Sequence, residues 1–317
     1  MAVHTPLTLA GAHRLAARWG LDVTGVEPIA EGTLNTSHAL IAGGRRYFLR
    51  TLEHVDRSAA EAEARLLAHL GRAGAPVPAP LALVDEPGAH AADHAGKPAL
   101  VLTWIDGAIA RARDLGPAHT HAVGDALARL HRAGAELRDA PAPRFDPLRL
   151  AARLAVVVVP AARPDLRPTI DRLHRRLAAA PGLPARGAIH GDLFRENVLW
   201  SGTAVAGLVD FEAACLGNFA VDLMIAALAW GFTDRFDGPR LCSLMRGYTA
   251  VRPLTADERG ELHPAAQLAA LRFAATRLLD YELGAVPGGW RDHRRFLARL
   301  DALDALGPAG WRDLLGL

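Results

Sequence analysis

The hydrophobic pattern of this 317-residue chain changes near residues 104–108, and that change limits the folds open to it. Before this point, short apolar and β-branched runs are separated by turn signals such as Gly43-Gly44, a pattern typical of hairpins. After it, apolar residues recur mostly at helical spacing. We therefore predict an α+β fold with a β-rich N-terminal lobe over residues 1–104 and a mainly helical C-terminal lobe over residues 105–317.

The same periodicity predicts the individual elements. The predicted strands of the first lobe are 26–29, 37–41, 47–52, 81–85 and 99–104. The predicted helices are 8–19, 57–73, 115–133, 147–159 and 166–180, followed by further helices from residue 221 onwards. Residues 188–210 interrupt the helical pattern and predict a loop, a strand, a turn and a second strand.

Composition excludes several classes of function. The chain has 36 basic and 34 acidic residues, so its net charge of +2 gives no overall field for nucleic acid. Two cysteines are too few for a disulfide framework or a thiolate zinc site. The apolar run 223–232 is about ten residues long, against the roughly 20 that a bilayer span needs, and residues 1–19 lack the apolar stretch of a signal sequence. We expect a cytoplasmic protein with a small-molecule substrate and no nucleic-acid or membrane partner.

The basic residues are almost all arginine. Lys97 is the one lysine in the chain. A site that is normally built with lysine must therefore use arginine here, or do without the cation.

One polar stretch carries the strongest chemical signal. Residues 190–197 have the sequence HGDLFREN, and Asp210 follows at the far end of the predicted hairpin. Phosphoryl transfer from ATP needs a carboxylate that accepts or orients the proton of the attacking hydroxyl, and oxygen ligands that hold Mg²⁺ against the phosphates. We assign Asp192 as the catalytic base, and Asn197 and Asp210 as the magnesium ligands. We group His190 with Asp192 in the catalytic loop, and expect it to brace that loop through hydrogen bonds.

The pattern HGDxxxxN followed by an Asp-Phe pair resembles the aminoglycoside phosphotransferase-like kinases, distant relatives of the protein kinases. The similarity is greatest to the bacterial homoserine kinases of that superfamily. It includes residues 29–37, 47–53, 207–223 and 248–279, and so extends over nearly the whole chain. The resemblance implies a two-lobe, protein-kinase-like fold with ATP and Mg²⁺ bound between the lobes.

The resemblance also implies which residues contact the nucleotide. The loop 31–37 would cover the phosphates, with Gly32, Asn35, Thr36 and Ser37 as its contributing residues. Arg50 stands where kinases carry the phosphate-binding lysine of a strand; it keeps the charge and can bind phosphate in a bidentate way.

Two further nucleotide contacts follow from the same resemblance. Glu63 on the next helix is the expected partner of Arg50, with Glu61 as the alternative; a solvated helical face is the competing interpretation. Thr103, Trp104 and Ile105 would form the hinge whose backbone meets adenine, although Trp104 could serve only in packing.

The acceptor site is marked less clearly. An amino-acid substrate needs a cation for its carboxylate and an acceptor for its ammonium group, which Arg272, Arg277 and Asp280 could supply. Their spacing does not put all of them on one helical face, and ion pairs between helices are the alternative. Asp222 would support the catalytic loop, as an acidic residue does in the superfamily, or would cap the following helix.

Three functions are compatible with these residues. The first is a kinase that phosphorylates L-homoserine to O-phospho-L-homoserine. The second is a kinase of another hydroxyl metabolite or of an aminoglycoside-type antibiotic; Glu212 and Arg50, which depart from the homoserine kinase pattern, keep it open. The third is a nucleotide-binding pseudokinase scaffold, supported only by the missing strand lysine. The sequence leaves the oligomeric state open.

Overall fold

A computed structural model describes residues 5–30, 34–137, 140–284 and 291–317 of the chain. Within these residues, the N-terminal part is built on an antiparallel sheet of five strands and the C-terminal part is mainly helical. The predicted α+β fold, β-rich first and helical afterwards, is confirmed.

The N-terminal lobe is a five-stranded sheet with one helix before its first strand and a second helix between its third and fourth strands. Its elements are α1 (Leu9–Ala16), β1 (Val23–Ile29), β2 (Thr36–Ala42), β3 (Arg45–Thr51), α2 (Arg57–Arg72), β4 (Ala92–His94) and β5 (Lys97–Thr103). The strands lie in the order β1-β2-β3-β5-β4, and all neighbours are antiparallel. Gly43 and Gly44, with φ of 54° and 72°, form the turn between β2 and β3, as two-residue hairpins require.

One predicted strand is wrong. Residues 81–85 form no strand, and the backbone N–H of Val84 donates to the Arg18 carbonyl (2.8 Å) instead of to a sheet neighbour. The strand that pairs with β5 on the side away from β3 is β4, a segment in which the sequence pattern predicts no strand. A tight turn at Ala95 and Gly96, with φ of 55° and 78°, folds β4 onto β5, so turn geometry outweighs strand propensity here.

The single lysine of the chain stabilises the first lobe. Lys97 forms an ion pair with Glu53, and Glu53 also accepts hydrogen bonds from the hydroxyls of Thr36 (2.6 Å) and Thr5 (2.8 Å). Burial alone would raise the pKa of Glu53, but these hydrogen bonds outweigh it and the pKa is lowered. Lys97 therefore joins β5 to β2 and to the N-terminal segment, and does not serve as a phosphate ligand.

The C-terminal lobe contains short strands between two groups of helices. Its elements are β6 (Ala108–Ile109), α3 (Pro117–Gly134), α4 (Pro147–Val156), α5 (Arg167–Ala178), β7 (Gly187–Ile189), β8 (Val198–Ser201), β9 (Ala204–Leu208), β10 (Cys215–Gly217), α6 (Phe219–Trp230), α7 (Gly238–Val251), α8 (Ala256–Thr276) and α9 (Arg294–Leu315). Strand β7 pairs with β10, and β8 lies between β6 and β9. Helix α8 continues into a π-helical segment, Arg277–Glu282.

Helix α6 forms the centre of this lobe because it is apolar on nearly all sides. All of its residues except Val221 are buried, including the carboxylate residue Asp222. A helix of this kind must be surrounded by other elements, and α3, α7 and α8 pack against it. No helix in the described part of the chain has both the length and the apolar character of a membrane span.

A shared apolar core fixes α2 relative to the C-terminal lobe. Leu67 of α2 belongs to the same buried cluster as Leu127 of α3. The backbone N–H of Leu208, in β9, donates to the carbonyl of Pro76 just after α2 (2.7 Å). Glu63, which lies on α2, is therefore held at a defined position beside the C-terminal lobe.

Helices α3 and α7 approach each other through glycines. A Cβ atom at Gly247 of α7 would lie 2.0 Å from the His121 carbonyl oxygen, and one at Gly124 of α3 would lie 2.1 Å from the Leu244 carbonyl oxygen. Backbone oxygens cannot rotate away from such a contact, so any side chain here would push the helices apart.

Gly247→Ala is expected to lower the free energy of unfolding by about 1–3 kcal/mol, because the added methyl group overpacks the helix contact. Gly260→Ala is the matched control: Gly260 lies inside α8 with open space at its Cβ position, so alanine should stabilise by about 0.5–1 kcal/mol. Urea unfolding of both variants measures the difference. Equal effects of the two substitutions would contradict the close approach of α3 and α7.

Candidate active site

The catalytic loop leaves β7 through a turn that requires glycine. Gly191 has a φ of 77°, and a Cβ atom there would lie 2.5 Å from the Ala213 carbonyl oxygen. The chain then passes Asp192 and enters β8 through a single 3₁₀ turn, Arg195–Asn197. The glycine therefore sets the direction in which Asp192 follows the strand.

Two buried side chains hold the peptide groups of Gly191. The Asp222 carboxylate accepts hydrogen bonds from the backbone N–H groups of Gly191 and His190, both at 2.8 Å. Arg272 donates to the carbonyl oxygen of Gly191 from the other side. His131 also donates to Asp222 through Nε2 (3.0 Å). The backbone just before Asp192 is thus fixed at both its donor and its acceptor.

Asp222 supports the loop and does not cap its helix. Asn218 is the N-cap of α6, where its side-chain oxygen accepts from Ala220 N–H (2.8 Å), so the capping alternative is wrong. Burial alone would raise the pKa of Asp222, but the hydrogen bonds from His131 and Gly191 outweigh burial and hold its pKa below the usual range. Asp222 is therefore an ionised acceptor inside an apolar helix.

Both ring nitrogens of His190 bond to backbone. Its Nδ1 accepts from the N–H of Asp192 (3.2 Å), and its Nε2 donates to the carbonyl of Val209 (3.1 Å). The ring is completely buried, and burial lowers its pKa. These contacts fit the bracing role expected of His190, and they leave neither nitrogen available for proton transfer.

Asn197 connects Asp192 to the segment that carries Asp210. Its amide nitrogen donates to the Asp192 carbonyl (2.8 Å) and lies 3.4 Å from Oδ2 of the same residue. The backbone carbonyl of Asn197 accepts a hydrogen bond from the backbone N–H of Val209 (3.0 Å). Since Val209 directly precedes Asp210, the backbone of Asn197 helps to position both carboxylates.

Asp192 and Asp210 differ in their surroundings. Burial raises the pKa of Asp192 to about 6, with Arg272 lowering it and Asp210 raising it further. Asp210 is half exposed and has a φ of 66°, a left-handed conformation that is uncommon outside glycine. Its carboxylate lies 3.7 Å from the guanidinium of Arg50.

Arg50 is buried among carboxylates. It forms an ion pair with Glu63, the expected partner, whereas Glu61 accepts hydrogen bonds from the backbone N–H of His90 (2.9 Å) and Ala91 (2.8 Å). Burial opposes the charge of Arg50, but Glu63 and the other acidic neighbours raise its pKa above the ordinary value. The guanidinium therefore stays charged at the position where it faces Asp210.

Glu212 is a site residue that the sequence analysis treated only as a departure from a pattern. Its carboxylate accepts from the Asn35 side chain and lies 4.0 Å from Arg50. Burial and the nearby Asp210 raise its pKa to about 7. The sequence signal for Glu212 is its position two residues after Asp210, since both carboxylates face Arg50.

The predicted phosphate loop is described in part. Gly32 lies outside the described residues. Asn35 donates to Glu212 and accepts from the N–H of Glu53 (3.0 Å), and Thr36 donates to the Glu53 carboxylate. Ser37 is buried in β2. The observed contacts of Asn35 and Thr36 hold strands and carboxylates together; phosphate contacts for these residues stay predictions.

The predicted hinge follows β5. The backbone N–H of Thr103 donates to the Ala79 carbonyl (2.8 Å), so this donor is not available for adenine. Trp104 lies under the guanidinium of Arg46, 5.1 Å from the ring centroid. The Ile105 side chain packs against Gly207: a Cβ atom at Gly207 would lie only 2.4 Å from Cδ1 of Ile105. Trp104 and Ile105 thus remain the candidates for adenine contact.

The three predicted acceptor residues differ in their contacts. Arg272 is buried, stacks on Phe145 with 4.2 Å between guanidinium carbon and ring centroid, and supports Gly191. Arg277 is half-buried, and burial together with neighbouring arginines lowers its pKa to about 10. Asp280 forms an ion pair with Arg153 of α4 at 2.5 Å, which is the alternative that its spacing left open.

Residues 25–257 match the model of a family described as "Phosphotransferase enzyme family". The chain belongs to this phosphotransferase family. A homoserine kinase of Beijerinckia indica is 35% identical over 296 residues, which cover 89% of this chain and 88% of that protein. A homoserine kinase of Rhodopseudomonas palustris is 34% identical over 293 residues, 89% and 87% of the two chains. The resemblance is confirmed, and the chain is a phosphotransferase with a hydroxyl group as acceptor.

Solved structures of other members share the fold. An aminoglycoside phosphotransferase of Alicyclobacillus acidocaldarius has a TM-score of 0.64 at 17% identity, over 99% of this chain and 98% of that one. An amicoumacin kinase in complex with AMP-PNP, Ca²⁺ and Ami has a TM-score of 0.66 at 15% identity, over 89% of both chains. At these identities the likeness concerns the fold, which is that of the protein-kinase-like phosphotransferases.

Asp222→Asn is expected to lower kcat by about 100-fold, because an amide cannot accept both backbone hydrogen bonds and the loop that carries Asp192 loses its fixed geometry. The nucleotide KM should change much less. Asp237→Asn is the control, since Asp237 caps α7 and asparagine caps equally well. Steady-state kinetics alongside thermal unfolding separate the two effects. A folded Asp222→Asn enzyme with unchanged kcat would refute the positioning role.

Proposed function

We propose that this chain transfers the γ-phosphoryl group of ATP to the side-chain hydroxyl of L-homoserine and uses Mg²⁺. The reaction type rests on one observation: a single hydrogen-bonded loop joins Asp192 to Asn197 and to the segment that carries Asp210, which faces Arg50. The choice of acceptor is supported by the homoserine kinases that share 34–35% identity over 89% of the chain.

Asn197 and Asp210 fit a magnesium ion in the chemistry of their donors. The amide nitrogen of Asn197 donates to the Asp192 carbonyl, so its side-chain oxygen could serve as a metal ligand together with the carboxylate of Asp210. Hard oxygen ligands of this kind suit Mg²⁺, and the nucleotide phosphates and water would complete the coordination. When bound, the metal would neutralise charge on the transferring phosphate.

Asp192 has the environment that a general base needs. In this proposal its carboxylate accepts the hydroxyl proton while the acceptor oxygen bonds to the γ-phosphorus and ADP leaves. A pKa of about 6 keeps the group ionised at neutral pH and makes it a stronger base than an ordinary aspartate. Arg50 would add positive charge at the phosphates, with Glu63 holding it in place.

The charge around Asp192 favours an acceptor that carries a carboxylate over a polycationic one. Three arginines are close enough to Asp192 to interact with its charge. Arg272 and Arg291 lower the pKa of Asp192, and Asp192 in turn raises the pKa of Arg277. A polycationic aminoglycoside would be repelled by these guanidinium groups, whereas the carboxylate of a small amino acid would be attracted. Another carboxylate-bearing hydroxyl metabolite is the second candidate, and the cytoplasmic location stays a prediction.

Asp192→Ala is expected to lower the rate of transfer by about 100- to 10,000-fold, the usual contribution of a general base. ATP binding should persist, because Arg50, Asn197 and Asp210 are unchanged. Transfer is measured by coupled ADP release, and nucleotide affinity by calorimetry with Mg²⁺-ATP. Turnover near the wild-type rate would contradict the assignment of Asp192 as the base.

The acceptor is identified by ATP consumption with Mg²⁺ across a panel of L-homoserine, other hydroxy amino acids, choline, methylthioribose and aminoglycosides. Saturable turnover with L-homoserine alone is the expected result. Turnover with a different compound would keep the reaction type and replace the acceptor. ATP binding without turnover of any compound would support the pseudokinase scaffold instead.

A further inference from the structure

A chain of buried polar side chains connects the catalytic loop to the first turn of α8. It starts at Asp222 of α6 and continues through His131 of α3, Tyr248 of α7 and Arg252, which directly follows α7, to Glu258 of α8. Asp222, His131 and Tyr248 are completely buried. Polar groups in an apolar interior are costly unless each one is hydrogen-bonded, so a chain that joins four helices needs an explanation.

Each link of this chain has the length of a hydrogen bond. Arg252 donates to the Glu258 carboxylate through Nη2 (2.6 Å) and Nη1 (3.2 Å), and Nη1 also donates to the Tyr248 hydroxyl (3.1 Å). The Tyr248 hydroxyl lies 2.7 Å from Nδ1 of His131. Nε2 of the same ring donates to Asp222 (3.0 Å). The chain is therefore continuous from Glu258 to Asp222.

The chemistry of its members gives the chain a direction. A guanidinium group has no acceptor, so the Tyr248 oxygen accepts from Arg252 and its single proton is donated to Nδ1 of His131. Burial lowers the pKa of His131, although Asp222 acts in the opposite direction, so the ring is neutral. The one ring proton is then on Nε2, where the Asp222 carboxylate accepts it. Arg252 at one end and Asp222 at the other thus require the same tautomer of His131.

Packing holds the His131 ring in the orientation that these bonds need. Phe219 stacks on the ring with 4.4 Å between the centroids, and the guanidinium carbon of Arg252 lies 4.6 Å from the centroid of Phe219. A Cβ atom at Gly124 of α3 would lie 2.8 Å from the backbone nitrogen of Tyr248. The close approach of α3 and α7 that glycine permits therefore brings the Tyr248 hydroxyl to the histidine.

A role in packing alone accounts for only part of the chain. The ion pair at its outer end joins α7 to α8 and needs no tyrosine hydroxyl. The bonds of Tyr248 continue inwards to Asp222, whose other two hydrogen bonds come from the backbone N–H groups of His190 and Gly191. The chain therefore ends on the peptide groups that directly precede Asp192.

We propose that Tyr248 and Arg252 are positioning residues for phosphoryl transfer. By fixing the ring of His131 they hold Asp222, and with it the loop that carries the catalytic base. The inference rests on the proposed function and deepens it, because it assigns part of the geometry of the base to residues outside the catalytic motif. A base that is displaced by a fraction of an ångström transfers the proton more slowly, so the effect should be on kcat.

The first arm of the test determines the tautomer of His131 without turnover. The full-length protein is labelled with ¹⁵N-histidine, and the His131 signals are identified by their loss in His131→Gln. The nitrogen shifts of the wild type should show a proton on Nε2 and none on Nδ1. The Nδ1 signal should move in Tyr248→Phe, which removes its hydrogen-bond donor. A proton on Nδ1 in the wild type, or an Nδ1 signal that Tyr248→Phe leaves in place, would overturn the chain.

The second arm compares kcat with the nucleotide KM. Tyr248→Phe keeps the ring and should lower kcat by about 10-fold, the effect of losing one buried hydrogen bond, with little change in KM. Ser243→Ala is the matched control, because its buried hydroxyl on the same helix donates to the Pro117 carbonyl (2.6 Å), outside the chain. This control should also lower the midpoint of thermal unfolding but should leave kcat unchanged. Equal kcat values for the two variants would overturn the positioning role.

A double-mutant cycle then tests whether the effect passes through Asp222. In an Asp222→Asn background, Tyr248→Phe should lower kcat no further, because the contact that it supports is already lost. Independent effects that multiply would show that Tyr248 acts by another route, and would contradict the inference.

Arg252 is tested by two substitutions of similar length. Arg252→Met removes the donor to Tyr248 and should lower kcat, whereas Arg252→Lys keeps a donor and a charge and should retain most of it. Equal kcat values in the two variants would remove Arg252 from the positioning role. Rates are measured with L-homoserine; a wild type that does not phosphorylate it would refute the proposed acceptor, while the tautomer of His131 would still decide whether the chain exists.

Discussion

The geometry of the site depends on the hydrogen bonds that Asp222 makes inside α6. Its carboxylate is buried in an otherwise apolar helix, where an ionised group is stable only if several donors reach it. His131 and the backbone N–H groups of His190 and Gly191 are those donors. The need to satisfy this charge therefore pulls the catalytic loop into one position, and Arg272 fixes the same peptide from its carbonyl side.

The charges of the two sides of the cleft are arranged differently. Arg50 is surrounded by the carboxylates of Glu63, Asp210 and Glu212, so acidic groups outnumber this cation. Around the half-buried Asp192, the neighbouring cations are Arg272 and Arg291. Such a distribution suits the proposed reaction, in which a metal ion would neutralise the phosphates and the arginines would attract the carboxylate of the acceptor.

Local sequence predicted correctly the secondary structure that depends on local backbone conformation, such as a glycine turn. The Gly43-Gly44 hairpin forms where predicted, because only glycine readily takes two successive positive φ angles. The strand predicted over residues 81–85 failed because its amides bond to three separate segments: Leu81 bonds to Val101 of β5, whereas Leu83 and Val84 bond to Ala89 and Arg18, outside the sheet. The strand missed at β4 depends on a turn at Ala95-Gly96 whose non-glycine member gave no signal.

The sequence by itself determined the chemistry: the types and spacing of Asp192, Asn197 and Asp210 indicate phosphoryl transfer wherever the loop is placed. Tertiary structure decided the partners. Whether Arg50 would meet Glu63 or Glu61 depends on how α2 packs on the sheet, and that is set by a core shared between distant segments. Arg272 lies in α8 and bonds to the catalytic loop, whereas Asp280 lies in the π-helical segment that follows and pairs with Arg153 of α4.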